Sequence, residues 1–362
     1  MGEMGIIYDK KDKFLAAGFF DPDSPIRLRI LHAGKPTNID AAWWTERLES
    51  AVARRAPLFD HQTTGFRWIN GENDGWPGLV LDRYADTLVL KLYTAAWLPR
   101  LREITGLIRQ RLQAHRIVLR LSRNIQETVL REWRKNDGEI LYGPPLEQPI
   151  IFLETGLQFE ADVLRGQKTG FFLDQRENRR KVGSRARGRS VLNAFSFTGG
   201  FSLYAAKGGA ASITDLDISR HALEGGRRNF QLNESIPEIA RCRRTEIKAD
   251  AFEWLNENSK KRFGLIILDP PSLAKRESER AGAIEAYTHL ASAGIAHLEP
   301  GGLLVACSCS AHVSALEFFE SVRRAASKSR RRFSELETTG HAPDHPATFE
   351  EANYLKAAYL GF

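Results

Sequence analysis

Between residues 190 and 328 the chain repeats one pattern: a short apolar strand, a turn carrying glycine, serine or an acid, and then a helix. SVLNAFS, ASITDLD, EIKAD, FGLIILDPP and LLVACS read as five strands, interleaved with helices such as FSLYAAKGG, SRHALEGGRRNFQLN and AGAIEAYTHLASAGIAHL. Strands separated by helical crossovers return parallel to one another, so the expected fold class is α/β with a mostly parallel sheet covered on both faces. In such a sheet a ligand lies beyond the carboxyl ends of the strands, where the strand order reverses. The side chains that close each strand are therefore the ones to read for chemistry.

The first strand runs into NAFSFTGGFS (193–202), whose glycines admit close backbone approach and whose following helix presents free N–H groups. Asp217 ends the second strand, where a carboxylate can take both hydroxyls of a ribose. Asp250 ends the third, where it can meet an adenine amino group while Ala251 offers a backbone N–H to the ring. Nothing resembles a phosphate loop with GK[ST], so a ligand with ribose and adenine but no pyrophosphate fits best, and S-adenosylmethionine is such a ligand. No metal is expected.

The fourth strand closes on LDPPS, where the carboxylate of Asp269 can hold a base edge and two prolines stiffen the chain. Methyltransferases of exocyclic amines commonly place an aromatic residue after these prolines, and Ser272 and Leu273 argue against that reaction. The fifth strand runs into CSCS, with Cys309 just beyond it. Carbon-5 of a pyrimidine is a poor nucleophile and needs a thiolate added at carbon-6, so a cysteine here is chemically motivated. Cys307 and Cys242 read as small buried hydrophobes.

Upstream, residues 1–40 read as short strands around the turn DPDSP, and residues 41–148 as a small α+β domain opened by an amphipathic helix with Asp40 as its N-cap. A seam is expected at 144–149, with the nucleotide-binding domain occupying 149–362. The segment 156–180, GLQFEADVLRGQKTGFFLDQRENRR, suits either a flap over a cofactor or a decorated strand and turn. No apolar run reaches the roughly 18–20 residues that span a bilayer, and three cysteines cannot all pair, so a reduced, cytoplasmic setting is expected. Lys+Arg exceed Asp+Glu by 52 to 45, for a net charge of +7, which favours a polyanionic partner. The cations cluster in RENRRKVGSRARGR (176–189) and KSRRR (328–332), read either as phosphate-binding faces or as solvated surface.

Taken together, NGENDGWPGLVLDRYAD, GQKTGFFLDQRENR, NAFSFTGGFSLYAAKGGA, LDPPS, CSCS and DHPATFEEANYLK resemble the ribosomal RNA large subunit methyltransferase I family, which methylates carbon-5 of cytosine in bacterial 23S rRNA. The resemblance implies a Rossmann-like class I methyltransferase domain with a seven-stranded sheet, a middle α+β domain and an N-terminal PUA domain. Only IIYDKKDKFLAAGFFDPDSPIRLRIL is similar to the PUA closing strands, so a shortened PUA-like region is expected, either because the chain starts late or because the module is reduced. By resemblance the cofactor residues fall on Thr169 and Gly170, on Asn193, Phe195, Ser196, Thr198, Gly199 and Gly200, on Asp217 with Ile218, and on Asp250 with Ala251. The nucleophile falls on Cys309; Asp269 is expected to hold the base edge, and from the charge cluster RNA contacts are expected on Arg176, Arg179, Arg180 and Lys181. Ser272 stands where many RNA cytosine-5 methyltransferases carry a second cysteine. The partners expected are 23S rRNA and, at most, a second copy of the chain. A guanine-N7 methyltransferase and a non-catalytic ribosome-assembly factor are the competing readings.

Overall fold

The computed structural model describes residues Met1–Phe362 and resolves into two compact units. No helix is long and apolar enough to cross a membrane.

The first unit comprises Met1–Leu173 and the return segment Pro343–Pro346. It opens with an antiparallel sheet of β1 (Met4–Tyr8), β2 (Phe14–Phe20) and β3 (Leu28–Ala33). So small a sheet cannot bury a core alone. It is completed by α1 (Ala41–Arg55), capped by Asp40, whose carboxylate accepts from the Trp43 N–H at 2.9 Å. Phe19 of β2 meets Trp97 with ring centroids 4.8 Å apart, and Trp44 of α1 meets Trp76 at 5.1 Å and Trp97 at 5.3 Å. Residues 1–40 thus share one aromatic core with the segment that follows. That segment forms a mixed sheet of β4 (Gly65–Asn70), β5 (Leu79–Tyr84), β6 (Thr87–Leu92), β7 (Arg116–Leu121) and β8 (Ile140–Tyr142), in that order. Helix α2 (Leu101–Leu112) carries the crossover that makes β6 and β7 parallel, and α3 (Gln126–Trp133) precedes β8.

A hairpin, β9 (Ile150–Glu154) and β10 (Leu157–Ala161), turns at Thr155 and Gly156, whose φ values of 50° and 79° are those of a tight hairpin turn. Phe152 and Phe171 pack together, and Phe152 also meets Tyr84 of β5 at 5.1 Å. These contacts draw residues 149–173 into the first unit, and the units divide between Leu173 and Asp174 rather than at 144–149.

The second unit comprises Asp174–Ala342 and Ala347–Phe362. In chain order it contains α4 (Arg176–Arg185), β11 (Ser190–Ala194), α5 (Gly200–Lys207), β12 (Ser212–Asp217), α6 (Arg220–Leu232), α7 (Pro237–Arg241), β13 (Arg243–Lys248), α8 (Ala251–Glu257), β14 (Phe263–Leu268), α9 (Arg280–Ala296), β15 (Leu298–Ser308), α10 (Ala315–Lys328), β16 (Ser334–Thr339) and β17 (Lys356–Gly361). The sheet order is β13-β12-β11-β14-β15-β17-β16. The first five strands are mutually parallel, and β17 enters antiparallel between β15 and β16. Apolar side chains of α8, α9 and α10 pack against this sheet, Trp254, Leu290 and Phe318 among them.

The connection after β11 runs to one side of the sheet, through β12 and β13, and the chain then crosses to β14 on the other side. The strand order therefore reverses between β11 and β14. Ala194 pairs with Leu268 and with Leu216, so the polar ends of β11, β12 and β14 emerge at one edge.

Candidate active site

The turn leaving β11 is built under strain. Phe195 and Phe197 have φ values of 62° and 46°, a region that bulky side chains rarely adopt, and Gly199 follows at 72°. The turn is held from outside: Ser196 N–H donates to the Leu216 carbonyl at 3.0 Å, and the Asp217 carboxylate accepts from Phe197 N–H at 2.8 Å. Beneath it, the Asn193 amide donates to Ser202 (2.8 Å), Ser202 donates to the buried Asp215, and Arg244 donates to that carboxylate at 2.6 Å.

Three polar atoms of this turn, Asn193 Oδ1, Ser196 Oγ and Thr198 Oγ1, are buried without a hydrogen-bond partner in the protein. Buried polar atoms are rarely left so, and a polar ligand can satisfy them. Asp217 also accepts from Ser219 N–H at 2.8 Å, and Ile218 beside it is an exposed apolar side chain at 66%. Asp250 is the N-cap of α8, one oxygen accepting from Phe252 N–H (2.8 Å) and Glu253 N–H (3.1 Å), which leaves its other oxygen for a ligand. A ribose and an adenine suit this donor and acceptor set.

On the far side of the switch point, Asp269 stands at the tip of β14 and accepts from the Gln175 amide at 3.0 Å. Gln175 is held in turn by the Asn178 amide at 2.6 Å, and the Asn178 oxygen accepts from the hydroxyls of Thr339 and Tyr359. Cys309 follows β15, half-buried, with its sulfur 4.0 Å from the Pro270 carbonyl oxygen. The serines around it join the two loops. Ser308 donates to the Tyr287 hydroxyl (2.9 Å), which meets Ser310 at 2.8 Å, and Ser310 accepts from Leu273 N–H at 3.0 Å. Ser272 donates to the Ala274 carbonyl at 2.9 Å. Burial drives the Cys307 thiol well above its usual range and pushes Cys242 up to about 11, leaving both poor nucleophiles.

Other expected residues sit differently. Thr169, in the first unit, is buried and its hydroxyl is occupied, donating to Asp82 at 2.6 Å and meeting the Tyr84 hydroxyl at 2.9 Å. Gly170 beside it has a φ of 134°. Arg176 and Arg179 are each only 2% exposed, so the face of four RNA-contacting cations expected on α4 reduces to Arg180 and Lys181. Those two are ion-paired with Glu177 and Glu337. In the second basic run Arg331 donates to the carbonyls of Ile295, Leu298 and Glu299, closing the end of α9. A guanidinium fork satisfies several carbonyls at once, which is why arginine runs serve as internal clamps here. Gln175, Asn178 and Tyr287 were not singled out by sequence. Asn178 lies within the stretch that draws attention for its arginines, and Gln175 immediately precedes it.

A family model described as S-adenosylmethionine-dependent methyltransferase matches residues 66–359. A ribosomal RNA large subunit methyltransferase of Deinococcus radiodurans is 55% identical over 366 residues, spanning 99% of this chain and 88% of the relative. The chain belongs to the ribosomal RNA large subunit methyltransferase family. A ribosomal RNA large subunit methyltransferase I of Shewanella frigidimarina is 36% identical over 95% of the chain and 86% of that relative. Among solved structures, a SAM-dependent methyltransferase from Streptococcus mutans matches with a TM-score of 0.83 at 22% identity, covering 100% of this chain and 92% of that one. A methyltransferase complexed with SAH matches at 0.85 and 23% identity, with the same coverage. The fold is that of class I methyltransferases, and the cofactor of this family member is S-adenosylmethionine. The unpaired atoms of the β11 turn and the strand-end acids of β12 and β13 fit it.

Proposed function

We propose that this methyltransferase modifies carbon-5 of a cytosine in 23S rRNA through a covalent adduct with Cys309. The observation that carries the reading is the placement of the Cys309 sulfur 4.0 Å from the Pro270 carbonyl, on the loop that presents Asp269. The relatives' action on large-subunit rRNA supports the substrate class.

The target cytosine is taken out of its stack into the crevice. Asp269, which accepts from the Gln175 amide, takes a hydrogen bond from the base edge. The Cys309 thiolate adds to carbon-6, forming the S–C6 bond and moving the C5–C6 electron pair onto carbon-5. When bound, S-adenosylmethionine supplies the electrophilic methyl group. Transfer of the carbon-5 proton to solvent water then restores the C5–C6 double bond as the C6–S bond breaks and returns the thiolate. Ser272, whose hydroxyl donates to the Ala274 carbonyl, offers no second thiol for that release.

The cofactor is held by the 193–200 turn, by Asp217 with Ile218, and by Asp250 with Ala251; Thr169 and Gly170 are assigned to it by the family resemblance alone. RNA phosphates meet Arg180 and Lys181 together with Lys275 and Arg276, exposed cations that follow Asp269 in the same loop. Strands β1–β3 are read as the closing strands of a PUA-like module.

Cys309→Ala tests the reading. Methyl transfer to rRNA is expected to disappear while the calorimetric affinity for S-adenosylmethionine stays unchanged. Retained activity in that variant overturns covalent carbon-5 chemistry and returns the guanine-N7 alternative.

A further inference from the structure

Lys356 opens β17 directly opposite Ser308 of β15, and it is 2% exposed. Its ammonium donates to the carbonyl oxygens of Ser310 (2.7 Å) and Val313 (2.6 Å), in the loop that begins at Cys309. Both partners are neutral. A buried ammonium without a bonded counter-ion is unfavourable, and burial pushes Lys356 down to about 8. The negative charges that oppose this fall are those of Cys309 and Glu317. Glu317 is already engaged by Arg280 and Ser314, which hold its carboxyl at about 2. Cys309 is left as the group whose ionisation balances the lysine.

We propose that Lys356 is a positioning residue for Cys309: its ammonium fixes the loop that presents the sulfur and supplies the positive potential in which the thiol ionises. This rests on the reading of Cys309 as nucleophile. Around the sulfur, Tyr287 of α9 and Cys307 of β15 oppose its ionisation when they carry charge, and Asp269 at the tip of β14 acts on Cys307; Lys356 of β17 favours it, and Glu317 of α10 acts on Lys356. A neutral structural lysine would be replaced by methionine without electrostatic consequence.

The test uses the full chain with Cys242→Ser, following iodoacetamide alkylation of Cys309 by mass spectrometry as a function of pH. In Lys356→Met the alkylation midpoint rises by about one pH unit, and methyl transfer at neutral pH falls about tenfold. Lys356→Arg, which keeps the charge, holds the midpoint near that of the parent and restores most of the activity at neutral pH. An unmoved midpoint in Lys356→Met, with activity reduced equally at every pH, overturns the proposal. So does a shift in Lys356→Arg as large as that in the methionine variant. If Cys309→Ala retains methyl transfer, the nucleophile assignment falls, yet the alkylation midpoint still reports on Lys356. If Cys309→Ala is inactive and the midpoint does not move, the Lys356 proposal alone falls.

Discussion

Asp269 owes its orientation to a relay of carboxamides and hydroxyls running from Gln175 through Asn178 to Thr339 and Tyr359. Removing the Gln175 amide takes one hydrogen bond away from that carboxylate. A hydrogen bond to a charged group contributes about 1.5–3 kcal/mol, so Gln175→Leu is expected to slow single-turnover methyl transfer about tenfold to a hundredfold with cofactor affinity unchanged. The pH profile carries a second signature. Lys356 sits near 8 in the folded chain, below its ordinary value of 10.5, so methyl transfer declines above about pH 8 as the lysine loses its proton. The same shift has a stability consequence of definite sign: between about 8 and 10.5 the unfolded chain binds the proton that the folded chain has released. Wild-type urea midpoints therefore gain on those of Lys356→Met as pH rises through that window. The positions of Cys309 and Asp269 just past strand ends were legible in the sequence, because each follows a continuously apolar run. Gln175 and Lys356 were not, since they reach their partners across 94 and 46 residues and neither belongs to a spacing motif.

Among elements, α8 shows how one residue serves fold and ligand together. Asp250 caps its N-terminus through two backbone N–H groups. Asp250→Ala is expected to lower stability by about 1 kcal/mol in urea titrations, while Asp250→Ser keeps the cap and stays within a few tenths. If the carboxylate also holds the adenine, both variants lose S-adenosylmethionine affinity by calorimetry. Equal affinity in the serine variant removes Asp250 from the cofactor site. The strand and helix alternation from 190 to 328 is legible because buried parallel strands such as FGLIIL are continuously apolar. The edge strand β16, SELETT, is mostly exposed and carries no such signal, and β17 follows a long irregular segment. The seam at 144–149 was suggested by its prolines and glycine, but the aromatic packing of Phe152 against Tyr84 decides which unit holds β9 and β10.

For the whole molecule, the net charge of +7 overstates the surface available to phosphate, because Arg176, Arg179 and Arg331 are engaged internally. With about four phosphate contacts the logarithm of rRNA affinity is expected to fall with the logarithm of salt at a slope near −3. Arg180→Ala reduces that slope by somewhat less than one unit, whereas Arg179→Ala lowers the unfolding midpoint and leaves the slope alone. Filter binding across a salt series and urea titration separate the two effects. The central claim, that sulfur 309 bonds to carbon-6 of a cytosine, is tested most directly with an rRNA fragment bearing 5-fluorocytidine at the target, since fluorine cannot leave as a proton does. With S-adenosylmethionine present, a protein–RNA adduct that survives denaturation and maps to Cys309 by mass spectrometry is the predicted result. Turnover of the unmodified fragment with no adduct on the fluorinated one, or an adduct that persists in Cys309→Ala, would contradict the account.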